Sequence, residues 1–282
     1  MADMEICRTR SELASALAKA DGTRALVMTM GALHDGHAQL LKAARAAAQT
    51  VVASVYVNPL QFGPNEDYAA YPRTEAADLA LLEREGVDVA FLPTNDEMYP
   101  REPLVRIDPG PMARVLEGAT RPGHFAGVLQ VVHKVFNLVR PDMTFFGQKD
   151  AQQLALVRTM VDDLDMSIDV RAVPIKRDES GLALSSRNSY LSDAERAQAL
   201  ALSTALRRGV ELAESGASAG EVRDSVRAQL HAADGVRLDY LHLVDPATFA
   251  FLDDHAHGPG LLVTAAYVGP TRLIDNMEVE LR

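Results

Sequence analysis

Residues 24–48, RALVMTMGALHDGHAQLLKAARAAA, decide how the chain is read. Arg24 to Met30 is apolar and partly β-branched, the pattern of a buried strand, and Gly31 stops it as a glycine does where backbone must approach something closely. From Gly36 onward alanine and leucine dominate, with Leu40, Leu41 and Ala44 on one face, so a helix follows. His34 and His37 then straddle its first turn. Unsatisfied backbone N–H groups and the positive end of the helix dipole make such a place an anion site, with phosphate the obvious anion. Two imidazoles with Gly36 between them add donors that strengthen as charge develops on a leaving group.

The spacing is neither a Walker A loop nor GxGxxG. It is HxGH, and it resembles the motif shared by nucleotidyltransferases and class I aminoacyl-tRNA synthetases, which bind ATP and make or break a bond at its α-phosphate. A plainer alternative remains open on these residues alone, with one histidine capping the helix and the other on the surface.

Outward from this stretch, Ser11 to Ala20 reads as a short helix and Val51 to Val57 as a second buried strand. The two strands and the helix between them make a βαβ unit in a parallel sheet, with the loops at the strands' carboxyl ends on the ligand side. Asn58 to Arg73, NPLQFGPNEDYAAYPR, is too long and proline-rich for a minimal connection and is either a binding loop or an Ω-loop with Phe62 and Tyr71 tucked inward. Asn58 and Gln61 lie next to the strand end, where a polar substrate could be held. Thr74 to Glu85 reads as a helix, Val87 to Leu92 as the next strand and Leu104 to Ile107 as a further short one.

RPGHF, Arg121 to Phe125, precedes a helix over about Ala126 to Val139 that Pro141 ends. His124 is a cap or a ligand contact, and mid-helix His133 is structural. Met143 to Phe146 repeats the sequence of strand, glycine and helix. Lys149 stands where its ammonium can reach a phosphate, Asp150 as the N-cap, and Gln153 one turn on. After a strand at Ser167 to Val173, the loop through Ser185, Ser186, Arg187 and Asn188 sets two hydroxyls beside a guanidinium, a clamp suited to polyphosphate. Capping boxes at Ser192–Glu195 and Ser218–Glu221 open two helices, to about Glu214 and His231. Strands at Val236–Val244, Leu261–Val268 and Thr271–Glu280 follow them, so a separate α+β domain is expected.

The 282 residues suffice for two domains, and 48% hydrophobic content fills a sizeable core. A formal net charge of −11 argues against an extended nucleic-acid surface and for small-molecule partners. Cys7, the single cysteine, cannot make an internal disulfide and reads as structural. Without a signal-peptide core or a membrane-length apolar run, the cytoplasm is expected. His231, His242, His255 and His257 show no metal-site spacing.

MTMGALHDGH, VNPLQFGPNEDYAAYPR, RPGHFAGV, VFNLVRPDMTFFGQKDAQQL and GLALSSRNSYL occur in that order. This succession closely resembles the pantothenate synthetase family, the pantoate:β-alanine ligases, from the first strand to about Leu191 and more weakly beyond. The resemblance implies an α/β protein. A Rossmann-like parallel sheet domain over residues 1–175 would bind ATP and pantoate, and a smaller α+β C-terminal domain over 176–282 would close over it, in a homodimer. It implies that pantoate carboxylate attacks the α-phosphate of ATP to give pantoyl adenylate and pyrophosphate, and that β-alanine then displaces AMP. Met30, Gly31, Ala32, Leu33, His34, Asp35, Gly36 and His37 would line the ATP site, with Gly147, Gln148, Lys149, Asp150, Lys176, Leu184, Ser185, Ser186 and Arg187. Catalysis would fall to His37, as proton donor to the leaving group, and to His34, Lys149 and Arg187. Gln61 and Gln153 would bind pantoate, Gln61 also lying near β-alanine, with Arg121 and His124 as neighbours.

The family often has glutamate at Gln148 and an apolar residue at Lys176, which would reach adenosine through its backbone. Mg2+ is expected with the ATP phosphates. The resemblance offers Asp78 as a protein-side partner for it, but Asp78 reads more simply as a solvated helical carboxylate, and no protein ligand is assigned. Two rivals remain: a nucleotidyltransferase acting on a phosphorylated substrate, and a non-catalytic nucleotide-binding protein. The neutral glutamines disfavour the first, and the intact His37, Lys149 and Arg187 disfavour the second.

Overall fold

The computed structural model describes residues 4–64 and 66–282, so Asn65 of the proline-rich loop lies outside the described residues. The chain divides into two compact units, one of residues 1–148 and 156–174, the other of residues 149–155 and 175–282.

The first unit is built from β1 (Glu5–Cys7), α1 (Arg10–Leu17), β2 (Arg24–Thr29), α2 (Asp35–Ala47), β3 (Thr50–Val55), α3 (Glu75–Arg84) and β4 (Val89–Phe91). It continues through α4 (Asn95–Met98), α5 (Glu117–Thr120), α6 (His124–Val139), β5 (Met143–Gly147), α7 (Ala151–Asp163) and β6 (Asp169–Val173), with the first residues of α7 belonging to the second unit. All strand pairs are parallel, in the order β1-β4-β3-β2-β5-β6. Successive strands run from β2 through β3 to β4 on one side, and β5 and β6 lie on the other. β2 is therefore where the strand order reverses, the position at which such sheets bind ligands beyond their carboxyl ends. Val27 pairs with Phe145 near those ends.

The apolar runs of β2 and β3 follow from burial on both faces, as parallel sheets require. Ala25, Val27, Val51 and Ala53 pack with Leu40, Leu41 and Ala44 of α2 and Leu82 of α3, while the intervening Leu26 and Val52 are equally buried. Pro141 follows a left-handed Arg140 at the end of α6, a proline one step past the helix cap.

One local expectation fails, and one strand was not expected. Leu104 to Ile107 form no strand, and Leu104 and Val105 are 84% and 82% exposed. Conversely β1, unanticipated because it is only three residues long, pairs with β4 and buries Cys7. Burial pushes the Cys7 thiol up, which suits an inert packing role.

In the second unit α8 (Asp193–Glu214) and α9 (Ala219–Ala232) pack on the antiparallel sheet β7 (Val236–Val244), β8 (Gly258–Val268) and β9 (Thr271–Leu281). Both helices start in the capping boxes read from the sequence, at Ser192 and Ser218. Leu202, Leu206, Val222, Val226, Leu241 and Leu262 form its core. Among the described residues no helix is long and apolar enough to cross a membrane.

Candidate active site

Beyond β2 the backbone turns through two left-handed residues, Gly31 at φ 83° and Ala32 at φ 49°. The turn is held from beneath by Asp78 of α3. Its carboxylate accepts from the Ala32 N–H at 3.1 Å, the Leu33 N–H at 2.8 Å and the Thr74 hydroxyl at 3.1 Å. Asp78 is only 2% exposed, which corrects its reading as a solvated residue.

His34 is the N-cap of α2, and its Nδ1 accepts from the Gly36 N–H at 3.1 Å. His37 Nδ1 in turn accepts from the His34 N–H at 3.2 Å, and the ring centroids lie 4.2 Å apart. The two imidazoles thus form a capping box on each other's backbone, the arrangement usually made by serine and glutamate. An Nδ1 that accepts carries no hydrogen, so in each neutral ring the hydrogen is on Nε2.

The picture of a bare helix start needs revision. Besides the N–H groups held by Asp78 and the imidazoles, that of Gly31 meets Thr29 Oγ1, and those of His37 and Ala38 meet the His34 carbonyl. Much of the main chain here is committed internally. In each neutral ring Nε2–H is the donor side, and the helix dipole favours an anion at this end of α2. Capping and ligand binding are thus compatible roles for the same rings, because they use different nitrogens.

Gln61, at the end of the 3-10 turn Pro59–Gln61, donates from Nε2 to Met30 Sδ at 3.1 Å and accepts at Oε1 from Asn58 Nδ2 at 3.1 Å. Asn58 is 1% exposed and saturated. Its second amide hydrogen goes to the Gly127 carbonyl at 3.0 Å, and its Oδ1 accepts from the Tyr99 hydroxyl at 3.1 Å and the Leu60 N–H at 3.4 Å. Burial pushes the Tyr99 phenol up, so it remains a donor. A Cβ on Gly127 would fall 2.1 Å from the Leu60 carbonyl oxygen, so α6 can lie against this turn only through a glycine. Phe62 packs against Tyr68 and Tyr71, giving the loop the inward aromatic face expected of an Ω-loop.

Arg121 and His124 are brought to the main chain of Gln61. His124 Nδ1 donates to the Gln61 carbonyl at 2.9 Å, which leaves Nε2 to accept from Arg121 Nη1 at 3.0 Å. The same guanidinium pairs with Glu66 through both its Nε and Nη2. Burial, reinforced by the Arg121 charge, pushes His124 down to about 4. His124 is therefore neutral at pH 7 and works here as a tie between α6 and the loop.

In the second unit Gln148–Asp150, with Gln148 the last residue of the first, forms a 3-10 turn that runs directly into α7. Asp150 closes that turn and stands immediately before Ala151, the first residue of α7. The Lys149 carbonyl accepts from Asn276 Nδ2 at 3.0 Å, and Gln153 is half-buried on α7. Ser185 caps a 3-10 helix over Ser186–Tyr190, its Oγ accepting from the Arg187 N–H at 3.3 Å. The Leu184 N–H donates to the Lys176 carbonyl at 2.9 Å, closing the strip that leads to SSRN. That carbonyl already serves the fold, and the Lys176 side chain is exposed. Arg177 fastens the strip to β9 through a two-pronged pair with Asp275, at 2.7 and 2.9 Å.

Sequence reasoning missed the roles of Asp78, Tyr99, Arg177, Asp275 and Asn276, each of which acts on a residue far away in sequence. Among the described residues no group of three or more His, Cys, Asp or Glu side chains could hold a metal. With the oxygens of Asp78 already shared by three donors, Mg2+ would fit this chain as a companion of phosphate oxygens and water.

The family model described as Pantoate-beta-alanine ligase matches residues 5–278. The chain is similar to a pantothenate synthetase of Acidothermus cellulolyticus, 53% identical over 96% of this chain and 90% of that protein. It is similar in structure to the pantothenate synthetase from Thermus thermophilus, at 46% identity and a TM-score of 0.94 over 98% of this chain and 100% of that one. It also resembles the pantoate-beta-alanine ligase from Francisella tularensis complexed with beta-gamma ATP and beta-alanine, at 33% identity and a TM-score of 0.80 over 97% of each chain.

Proposed function

The chain belongs to the pantoate–beta-alanine ligase family and is a ligase of that kind, and on that premise we propose that it joins pantoate to β-alanine in two steps through pantoyl adenylate. In the first, a pantoate carboxylate oxygen bonds to the α-phosphorus of ATP and pyrophosphate leaves. In the second, the β-alanine amine attacks the acyl carbon, AMP leaves and the amide of pantothenate forms. A carboxyl group with an ordinary pKa of about 4 is ionised at neutral pH, so the first step needs no general base. It needs donors and cations, because anion approaches anion while charge builds on the leaving pyrophosphate.

The observation that carries this reading is the pair of imidazoles at the start of α2, each fixed as an Nε2–H donor. His37 donates to the departing phosphate oxygen and His34 assists. Lys149 and Arg187 counter phosphate charge, with Ser185 and Ser186 as hydroxyl donors. Met30 to His37, Gly147 to Asp150, Lys176 and Leu184 complete the nucleotide site. Gln61, its amide oriented by Asn58, presents neutral hydrogen-bonding capacity to a hydroxy acid, together with Gln153. Arg121 and His124 serve the substrate through the Gln61 main chain. Mg2+, carried with the ATP phosphates, would supply charge screening there, with no protein ligand assigned to it. The reading includes a homodimer working in the cytoplasm, with a nucleotide and pantoate domain over residues 1–175 and a lid domain over 176–282.

The test is pantoate-dependent exchange of labelled pyrophosphate into ATP, with Mg2+ and without β-alanine. Exchange is expected. If exchange is absent, and no pantothenate forms when both substrates are supplied to a protein that binds ATP, the reading fails.

A further inference from the structure

Asp78 is a buried carboxylate for which the family reading supplies no role that its surroundings fit. Among the described residues it makes no ion pair with Lys, Arg or His. Its charge is instead met by two successive main-chain N–H groups and one hydroxyl. Burying a carboxylate without a cation is costly unless donors converge on it, and charge-assisted bonds to main-chain N–H groups are strong and directional. The two N–H groups belong to Ala32 and Leu33, at the point where the chain leaves β2 for the imidazole cap. Ala32 is in the left-handed region, which a side chain with a Cβ disfavours. Gly31 is held beside the same carboxylate, since a Cβ there would approach Asp78 Oδ2 to 3.1 Å.

We propose that Asp78 is a positioning residue for adenylation: by gripping the Ala32 and Leu33 N–H groups it fixes the left-handed turn that sets where His34 and His37 present their Nε2–H donors. The inference rests on the ligase reading for its catalytic consequence, but its structural content stands apart from that reading. Leu33 directly precedes the N-cap. A rotation of its peptide unit swings the His34 N–H away from His37 Nδ1 and reorients both rings together. A metal-ligand role would show as a loss confined to Mg2+ affinity, whereas the grip acts through the Ala32 and Leu33 main chain.

The decisive variant is Asp78→Asn in the full chain. It conserves volume but turns one acceptor into an NH2 group facing an N–H. Two readouts are taken beside a thermal melt that establishes folding. One is the tautomeric state of His34 and His37 from long-range 1H–15N correlation spectra. The other is pyrophosphate exchange resolved into kcat, KM for ATP and dependence on Mg2+. The wild type is expected to show Nε2–H rings, and Asp78→Asn a mixture of tautomers. The variant should also lose about 100-fold in kcat, as displacement of a catalytic group by about an ångström does, with KM for ATP within about threefold.

Adding Ala32→Gly to Asp78→Asn should recover about tenfold in kcat, because glycine adopts the turn unaided. Should Asp78→Asn fail to fold, Asp78→Glu keeps the charge, displaces it by one methylene and is held to the same outcomes. A folded variant with wild-type tautomers overturns the proposal even if the wild type proves to lack exchange, a result that would sink only the ligase mechanism. A loss confined to Mg2+ affinity, or no recovery in the double variant, also overturns it.

Discussion

Replacing His124 by glutamine tests the tie that holds Gln61 in place, and its effect can be worked out in advance. The folded protein pushes His124 down to about 4 from an ordinary value of 6.5, through burial first and the Arg121 charge second, with the hydrogen bond to the Gln61 carbonyl and then Glu66 and Glu117 acting in the opposite direction. Between these two values the unfolded chain binds a proton that the folded chain refuses. Stability therefore rises with pH across this window. The contribution is complete above pH 6.5 and is progressively lost on acidification until it levels off near pH 4. The difference corresponds to about 3 kcal/mol. Glutamine keeps a donor and an acceptor but does not titrate. Urea unfolding from pH 7.5 to pH 4 should show the wild type losing about 3 kcal/mol more than His124→Gln, with unchanged denaturant slopes. Parallel stability curves for the two proteins would refute the assignment of a half-buried neutral imidazole bridging Arg121 and the Gln61 carbonyl.

Three further outcomes follow from the geometry. His37→Ala should lower pyrophosphate exchange by about 100-fold or more while costing only about 1 kcal/mol of stability, the worth of one helix-capping bond; equal exchange in a folded variant would remove the proton-donor role. Gly127→Ala drives a methyl group into the Leu60 carbonyl and should destabilise the protein by about 2 kcal/mol or more, with a raised KM for pantoate, read from melts and initial rates; a wild-type melt would show that α6 does not need the glycine. Arg177→Ala leaves Asp275 buried without its partner and should cost about 3 kcal/mol in denaturant unfolding; a cost under about 1 kcal/mol would place the pair with ordinary surface bridges.

The fold was legible wherever one residue's neighbours lie close in sequence. The apolar runs of β2 and β3, the alanine and leucine stripe of α2 and the serine and glutamate boxes opening α8 and α9 are local patterns, and local physics reads them. β1 escaped because three residues carry too little periodicity. Leu104 to Ile107 misled because apolar content marks a strand only when a neighbouring strand receives it, and here none does. Within the candidate site, HxGH singled out His34 and His37 but not how they are held. The expectation of bare N–H groups at the start of α2 overlooked that the imidazoles are themselves good acceptors at Nδ1. Asp78 looked like one more polar helical residue because its partners, Ala32 and Leu33, stand more than forty residues away. Asn58 and Gln61 were found from their place after a strand, while Tyr99 and Gly127, which fix their orientation, leave no mark that a single sequence reveals.

The strand order also bears on synthesis. β2 lies between β3, made directly after it, and β5, whose approach is marked by the Arg24 N–H donating to Asp142, 118 residues later. At about 5 to 20 residues per second, a ribosome needs about 6 to 24 s to add that length. During this interval the nascent chain can assemble β2, β3 and β4, but one edge of β2 has no neighbour. An unpaired, apolar strand edge is a template for wrong partners. The half of the sheet that carries the imidazoles can thus form early, with one edge of β2 open to wrong partners until β5 emerges.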